Sequence, residues 1–384
     1  MAEQADVLVI GGGMAGAGAA AELAGAGRKV IMLEREGQAG SHATGRSAAV
    51  FSETYGGLAV RALSRASRAF FLAPPTGFVD HPLVMPRGVM HIANADTQPA
   101  LEQFAALSDM ADTTRWLDGS QTLALCPILR PSQALCGVYE AEARDIEVHG
   151  LHYAYLRKLK EQAGQVRLDA SVTALSRAAG VWRAQTTAGA FEAPVVVNAA
   201  GAWAGEVADL AGATRIDLQP LRRTALLVDP PTGMDIAAWP FVIDAAESFY
   251  FKPDAGRLLL SPADETPSPP CDAQADELDI AIAIDRVETA TVLEVRRVRH
   301  RWAGLRTFAP DRAPVIGFDP QAEGFFWVAA LGGYGIQTAP AVARLAAGLI
   351  TTGKVDPSLA DAGIVASDLS VERLAGAAHR PIVV

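Results

Sequence analysis

Apolar and polar positions follow three rhythms along the chain. At the start, the unbroken apolar run Val7–Ile10 meets Gly11, Gly13 and Gly16, continues into a helix of small residues, and emerges in a second apolar run ending at Glu34. Unbroken runs of this length suit strands buried on both faces of a parallel sheet. The same rhythm returns at Val195–Val197, ahead of Asn198-Ala199-Ala200-Gly201-Ala202-Trp203. It returns again where strands predicted at Val315–Ile316 and Phe325–Ala330 lead into Leu331-Gly332-Gly333-Tyr334-Gly335-Ile336-Gln337 and an alanine-rich helix to about Ile350. A helical period predicts helices over Leu58–Phe71, Gln98–Leu107, Val148–Gln162 and Ala273–Glu288. Between 213 and 304 the third rhythm appears: Thr224–Val228, Ser248–Lys252 and Arg257–Leu260 read as strands parted by proline and glycine turns, which predicts an antiparallel or mixed sheet. Val89–Ile92 reads as a strand after a boundary marked by Pro74, Pro75, Pro82 and Pro86, and Pro262–Asp272 is a proline-rich loop.

The opening stretch Asp6–Arg35 carries the most chemistry. Gly11 permits a tight turn off the strand, Gly13 lets backbone approach a pyrophosphate, and Gly16 lets the helix pack close to the sheet. The helix N-terminus then faces the phosphate charge, and Glu34 stands where a carboxylate accepts hydrogen bonds from a ribose. This predicts a dinucleotide site. The glycine loop near the C-terminus is a second place where backbone donors and a helix dipole meet negative charge. The segment Gly37–Gly57 is too long for a simple connection, and within it Ser47–Gly57, with Tyr55 near its tip, reads as a candidate lid.

Bulk properties narrow the partners. Half of the 384 residues are hydrophobic, enough for two domains with a large core. The net charge of −10 argues against nucleic acid and against an anionic membrane surface. Cys126, Cys136 and Cys271 lack metal spacing and read as unpaired thiols in a reducing compartment, and none of the seven histidines stands in a triad or metal pattern. With no apolar stretch of membrane-spanning length and no signal-peptide pattern at the start, a cytoplasmic location is the expectation.

Taken in order, Thr44–Ala49, Gln219–Ala225, Glu247–Gly256, Trp302–Phe308 and Glu323–Thr338 make the chain resemble the FAD-dependent oxidoreductases of the D-amino-acid oxidase superfamily, and most of all bacterial D-amino-acid dehydrogenases of the D-arginine dehydrogenase kind. The resemblance covers nearly the whole chain. It implies an α/β fold with a discontinuous FAD-binding Rossmann-like domain (1–80, 147–212 and 305–384) and an α+β substrate domain with a mixed, mostly antiparallel sheet (81–146 and 213–304). The implied cofactor is FAD, held non-covalently because no cysteine follows Cys271. Gly11, Gly13, Ala15, Glu34 and Arg35 would serve the adenine side and pyrophosphate. Thr44, Gly45, Arg46, Ser47 and Ala48 would run along the pyrophosphate and ring system. Val172 and Gly201 would touch the cofactor, and Gly332, Gly333, Tyr334, Gly335, Ile336 and Gln337 would surround the flavin's pyrimidine end.

The implied reaction is oxidative deamination of D-amino acids to 2-oxo acids and ammonia by hydride transfer from the substrate α-carbon to flavin, with electrons passing to a quinone or to oxygen. Arg306 and Arg223 stand where the family places ligands for the substrate carboxylate, a role suited to the planar guanidinium fork. Tyr250 and Tyr55 stand where hydroxyls complete the clamp. Members selective for basic D-amino acids carry a carboxylate at the position of Val89 and a histidine at that of Val50. With Phe241 and Ile243 as further walls, and Gly333 and Gln337 beside them, an apolar side chain is expected to fare better than a basic one, since a buried cation without a partner is costly. Glu53 is the acid that could supply such a partner. A glycine, sarcosine or secondary-amine oxidase of the same superfamily is the alternative. An NAD-dependent dehydrogenase and a non-enzymatic flavoprotein fit the C-terminal glycine loop and the arginines less well.

Overall fold

The run Val7–Ile10 is buried along its whole length because it sits in the middle of a six-stranded sheet. The computed structural model describes residues 2–110 and 112–374, so the last ten positions of the segment expected to span 305–384 lie outside the described residues. The order across this first sheet is Gln165–Arg167, Val30–Leu33, Val7–Ile10, Val195–Asn198, Phe325–Ala329 and Val315–Phe318. All neighbours are parallel except the last pair. The three unbroken apolar runs therefore lie side by side although they come from the start, middle and end of the chain. Helices Met14–Gly25, Val148–Glu161 and Ala339–Thr352 cover one face. Among the described residues no helix is long and apolar enough to cross a membrane.

The second sheet is mixed and mostly antiparallel. From one edge it runs Thr266–Pro267, Gln219–Val228, Arg257–Ser261, Tyr250–Asp254, Phe241–Asp244, Val89–Ala93, Cys136–Glu140 and Arg115–Asp118. Among the described residues its one parallel pairing joins Phe241–Asp244 to Val89–Ala93. One face packs on helix Glu277–Ala290 through Met90, Leu226, Val242, Phe251 and Leu260. The other face, carrying Val89, Ala225, Phe241 and Tyr250, looks toward the first sheet. The fold is thus the expected α/β architecture with a Rossmann-like sheet and a mixed substrate sheet.

Several local expectations need correction. Strand Val298–Phe308, which pairs in antiparallel register with Gln219–Val228, was not foreseen; the expected junction at 304/305 falls inside it. Its many arginines hide the strand period. The helix expected from Ala273 begins at Glu277, capped by the Asp276 carboxylate, because the Ala273 carbonyl is held by Arg46 Nη1 at 2.8 Å. The strand expected over Ser248–Lys252 is Tyr250–Asp254, since Ser248 closes a turn on the Asp244 carboxylate. The hairpins of Val172–Ala178, Val181–Thr186 and Gly189–Ala193 also lay outside the sequence reading.

Candidate active site

A cleft of about 270 Å³ runs between the sheets and joins a smaller chamber of about 60 Å³. The cleft begins at Glu34, Arg35 and Val172, follows Gly11, Gly13 and Ala15 past Thr44 and Gly201, and ends at Gly332, Gly333, Gly335 and Ile336. Arg46, Ser47 and Ala48 line its second wall. This end-to-end arrangement is what the glycine motif and the two distant loops predict for an extended dinucleotide.

The cradle is backbone. Helix Met14–Gly25 starts at Gly13 with no side-chain cap, so its first-turn amides face the cleft, apart from the Met14 N–H, which donates to Thr44 Oγ1 at 2.9 Å. Gly16 does not line the cleft. A Cβ there would stand 1.9 Å from the Gly11 carbonyl oxygen, so its absence lets helix and strand meet. Glu34 is buried, and its carboxylate accepts from the amides of Gly12 at 2.7 Å and Glu36 at 2.9 Å. These bonds fix the acid at the cleft end while leaving lone pairs for a ribose. Gly12, absent from the sequence reading, is held on its other side by His152 Nε2, 2.8 Å from its carbonyl. At the rim, the Arg35 guanidinium lies 4.5 Å over the Trp203 ring.

Three cofactor residues expected from the sequence sit elsewhere. Gly45 folds back, its N–H donating to Gly40 O at 2.9 Å, and does not line the cleft. The Tyr334 ring is buried edge-on against Tyr55 at 5.0 Å, with Phe308 behind it. Gln337 lines the chamber rather than the cleft, its amide fixed between the Ser52 N–H and Ser64 Oγ. Arg46 faces the cleft but spends its guanidinium on the carbonyls of Ala273 and Ala303 and on Asp272, tying the two walls together.

Arg306 and Arg223 stand at the junction of cleft and chamber. On paired strands Arg223 lies opposite Gly304 and Arg306 opposite Leu221, which puts both side chains on the pocket face with a glycine between. Their surroundings differ. Arg223 is buried, with Nε donating to Asp264 O at 2.7 Å and Nη2 paired to Glu265 at 3.2 Å. Arg306 is half-buried; Nη1 donates to Tyr55 Oη at 3.1 Å, and no carboxylate lies within ion-pair reach among the described residues. Burial opposes the Arg306 charge, yet the oxygens of Tyr55 and Tyr250 outweigh it and hold the pKa above its ordinary value. For Tyr250 burial pushes the phenol up, but the two guanidinium groups prevail and hold it below the usual tyrosine value.

The chamber gathers all six residues expected there: Val50, Val89, Phe241, Ile243, Gly333 and Gln337. Among the other lining residues, sequence reasoning missed the two with ionisable side chains, His91 and Glu247. The two-residue strand period running from Val89 was a signal for His91, because positions 89 and 91 share a face. In this conformation the candidate lid closes one side of the chamber, held at Ser52–Thr54. Ser52, Glu53 and Thr54 are buried, and Glu140 accepts from Ser52 Oγ at 2.6 Å, Thr54 Oγ1 at 2.7 Å and the Glu53 N–H at 2.8 Å. Glu53 turns to Arg68 at 3.2 Å and does not reach the chamber.

The family model described as FAD dependent oxidoreductase (DAO) matches residues 6–349. The chain belongs to this family. Its cofactor is accordingly FAD. Among curated relatives, mitochondrial dimethylglycine dehydrogenase of Mus musculus is 24% identical over 92% of this chain. FAD-dependent oxidoreductase domain-containing protein 1 of Bos taurus is 28% identical over 42% of this chain. The alignments span only 43% and 36% of those two proteins. Glycine oxidase from Geobacillus kaustophilus superposes with a TM-score of 0.79 at 22% identity, covering 91% of this chain and 95% of its own; at that identity the likeness speaks for the fold.

Proposed function

We propose that the chain catalyses oxidative deamination of D-amino acids to 2-oxo acids and ammonia, as a dehydrogenase holding FAD non-covalently. The observation that carries this is Arg306, a half-buried guanidinium without a protein carboxylate, at the point where cleft opens into chamber. A charge so placed is costly alone, and a substrate carboxylate meets it with two parallel charge-assisted bonds. In this reading Arg223, Tyr250 and Tyr55 flank the clamp. Of the described residues, segments 2–80, 147–212 and 305–374 form the FAD-binding domain, and strand Val298–Phe308, paired with Gln219–Val228, crosses from it into the substrate sheet.

Bound FAD supplies the two-electron acceptor. The residues around the chamber clamp the carboxylate and direct Cα toward the cleft. The substrate gives up its Cα hydrogen with the bonding pair and a proton from nitrogen; the imino acid then adds water and releases ammonia. Positioning supplies much of the acceleration without a strong base at carbon. A quinone-type acceptor reoxidises the enzyme, with oxygen as the alternative. Uncharged side chains outrank basic ones because Val50, Val89, Phe241 and Ile243 offer no counter-charge; Glu247, the acid among the lining residues, is exposed on a turn.

The second reading is oxidation of glycine, sarcosine or another secondary amine. It is favoured by the likeness to dimethylglycine dehydrogenase, and the same clamp would serve it. The test is anaerobic mixing of purified holoprotein with D- and L-amino acids, glycine, sarcosine and proline. Flavin bands that bleach at least tenfold faster with D-amino acids bearing uncharged side chains support the first reading. Preferential bleaching by sarcosine or glycine selects the second, and D-arginine or D-lysine ahead of D-leucine, D-methionine and D-phenylalanine would overturn the side-chain order.

A further inference from the structure

The chamber beyond Arg306 contains a polar group that the clamp does not use. His91, on strand Val89–Ala93, lies opposite Ile243, and Ile243 lies opposite Tyr250 on the next strand. Three adjacent strands thus carry Tyr250, Ile243 and His91 in one row on the pocket face. Two inter-strand spacings set the His91 backbone roughly 10 Å from that of Tyr250. His91 is 7% exposed; its Nε2 is fully buried without a hydrogen-bond partner among the described residues, and Nδ1, which makes no hydrogen bond there either, is the nitrogen left open to the chamber. Phe104 packs on the ring at 4.5 Å between centroids, while Val89, Phe241 and Ile243 supply apolar walls beside it. Burial pushes the imidazole down to about 4, so the ring is neutral at physiological pH.

A neutral imidazole has one donor and one acceptor nitrogen. Left unmet in an apolar wall, such a nitrogen costs free energy that a correctly placed ligand group recovers. A hydrocarbon side chain cannot recover it. An ammonium or guanidinium would lack a counter-charge at that depth, and a second carboxylate, though it could accept an N–H from the neutral ring, would bring an uncompensated charge into the apolar wall.

We propose that His91 determines specificity at the far end of the chamber and selects a substrate whose side chain ends in an uncharged hydrogen-bonding group, a carboxamide above all, at about the length of asparagine or glutamine. The assignment rests on the carboxylate clamp at Arg306 and refines the preference for uncharged side chains. Among near-equal volumes, the polar-tipped member wins.

The experiment compares kcat/KM for D-glutamine against D-methionine and for D-asparagine against D-leucine, in wild-type holoenzyme and in His91→Phe and His91→Asn. Wild type should favour the polar member of at least one pair by tenfold or more. His91→Phe should abolish that preference by lowering the polar member at least tenfold, mainly through KM, while moving the apolar member less than threefold. His91→Asn, which keeps a donor and an acceptor, should restore part of it. Equal rates within both pairs in wild type, or a preference that survives His91→Phe, would overturn the role of His91 while leaving amino-acid oxidation intact. If His91→Phe fails to fold, equal rates within both pairs in wild type still overturn the role, and a preference reduced in His91→Asn still supports it. Absence of flavin bleaching by every α-amino acid would instead remove the underlying reading of the site.

Discussion

The two sheets meet the cleft in opposite ways. The parallel sheet offers main chain: Gly11, Gly12, Gly13 and the uncapped start of a helix. The mixed sheet offers side chains: Arg306, Arg223, Tyr250 and, deeper, His91. A main-chain surface recognises what every dinucleotide shares, its phosphates, and is specified by the absence of side chains. A side-chain surface recognises what distinguishes one small substrate from another. The first tolerates no added atom, whereas the second can lose a group and keep its shape.

Gly16→Ala tests that contrast most severely. The new Cβ would lie 1.9 Å from Gly11 O and 3.0 Å from its carbon, so helix must part from strand. Overpacking of this kind costs about 1–3 kcal/mol or more, and the displaced amides no longer converge on the phosphates. Bound flavin after gel filtration should fall at least tenfold, with a lower Tm. Gly333→Ala makes the sharper comparison: it lies in the loop after strand Phe325–Ala329 of the same parallel sheet, but the added atom faces a side chain of the mixed sheet. Its Cβ would meet the Arg306 guanidinium at 2.8 Å, a flexible group able to shift. Flavin should stay bound while substrate KM rises several-fold. If both variants lose flavin equally, the division of labour between the sheets is wrong.

Within the mixed sheet the two arginines form a smaller comparison. Arg306→Ala removes a guanidinium with no protein carboxylate and should raise apparent KM at least tenfold, in line with about 1.5–3 kcal/mol for charge-assisted bonds. Arg223→Ala removes one already engaged by Asp264 and Glu265; Glu265 keeps Arg312 at 2.7 Å. Its KM effect should be only about threefold, from what remains of the charge. Steady-state kinetics on the best substrate would reverse this ranking if Arg223 were the principal ligand, and unchanged kinetics in Arg306→Ala would take Arg306 out of the site.

These comparisons also explain what the sequence made legible. The parallel sheet was readable because each of its central strands is an apolar run with its own glycine signature, and the motif from Gly11 to Glu34 is contiguous. Arg306 and Arg223 were placed by likeness to a family, since nothing in their neighbouring residues tells a clamp from a surface ion pair. What separates them is their partners, which come from Tyr55 and from the loop at Asp264 and Glu265. Strand Val298–Phe308 escaped because exposed arginines interrupt its alternation. Gly45 and Tyr334 do not line the cleft, because a turn redirects one and aromatic packing the other, and neither effect shows in spacing. His91 was in plain view as the second residue of a period-two run, passed over because it belonged to no triad.

The smallest expected effect concerns the support behind Tyr55. Glu140 fixes the Ser52–Thr54 segment through three bonds, and burial raises its pKa although those bonds and their donors partly offset the rise. A carboxyl with a folded pKa above its unfolded one binds its proton more tightly in the folded chain. The stability this gives is complete below the unfolded value of about 4.3 and is lost as pH rises through the folded value. Glu140→Gln does not titrate, so its Tm should gain on wild type as pH rises above about 4.3. At neutral pH the amide oxygen can still accept from the Glu53 N–H, and the Ser52 and Thr54 hydroxyls can rotate to accept from the amide nitrogen. Tyr55 should therefore hold its place and KM should move less than threefold. A rise as large as that of Arg306→Ala would mean that the wall depends on the Glu140 charge, and that the side-chain surface is as intolerant of change as the glycine cradle facing it.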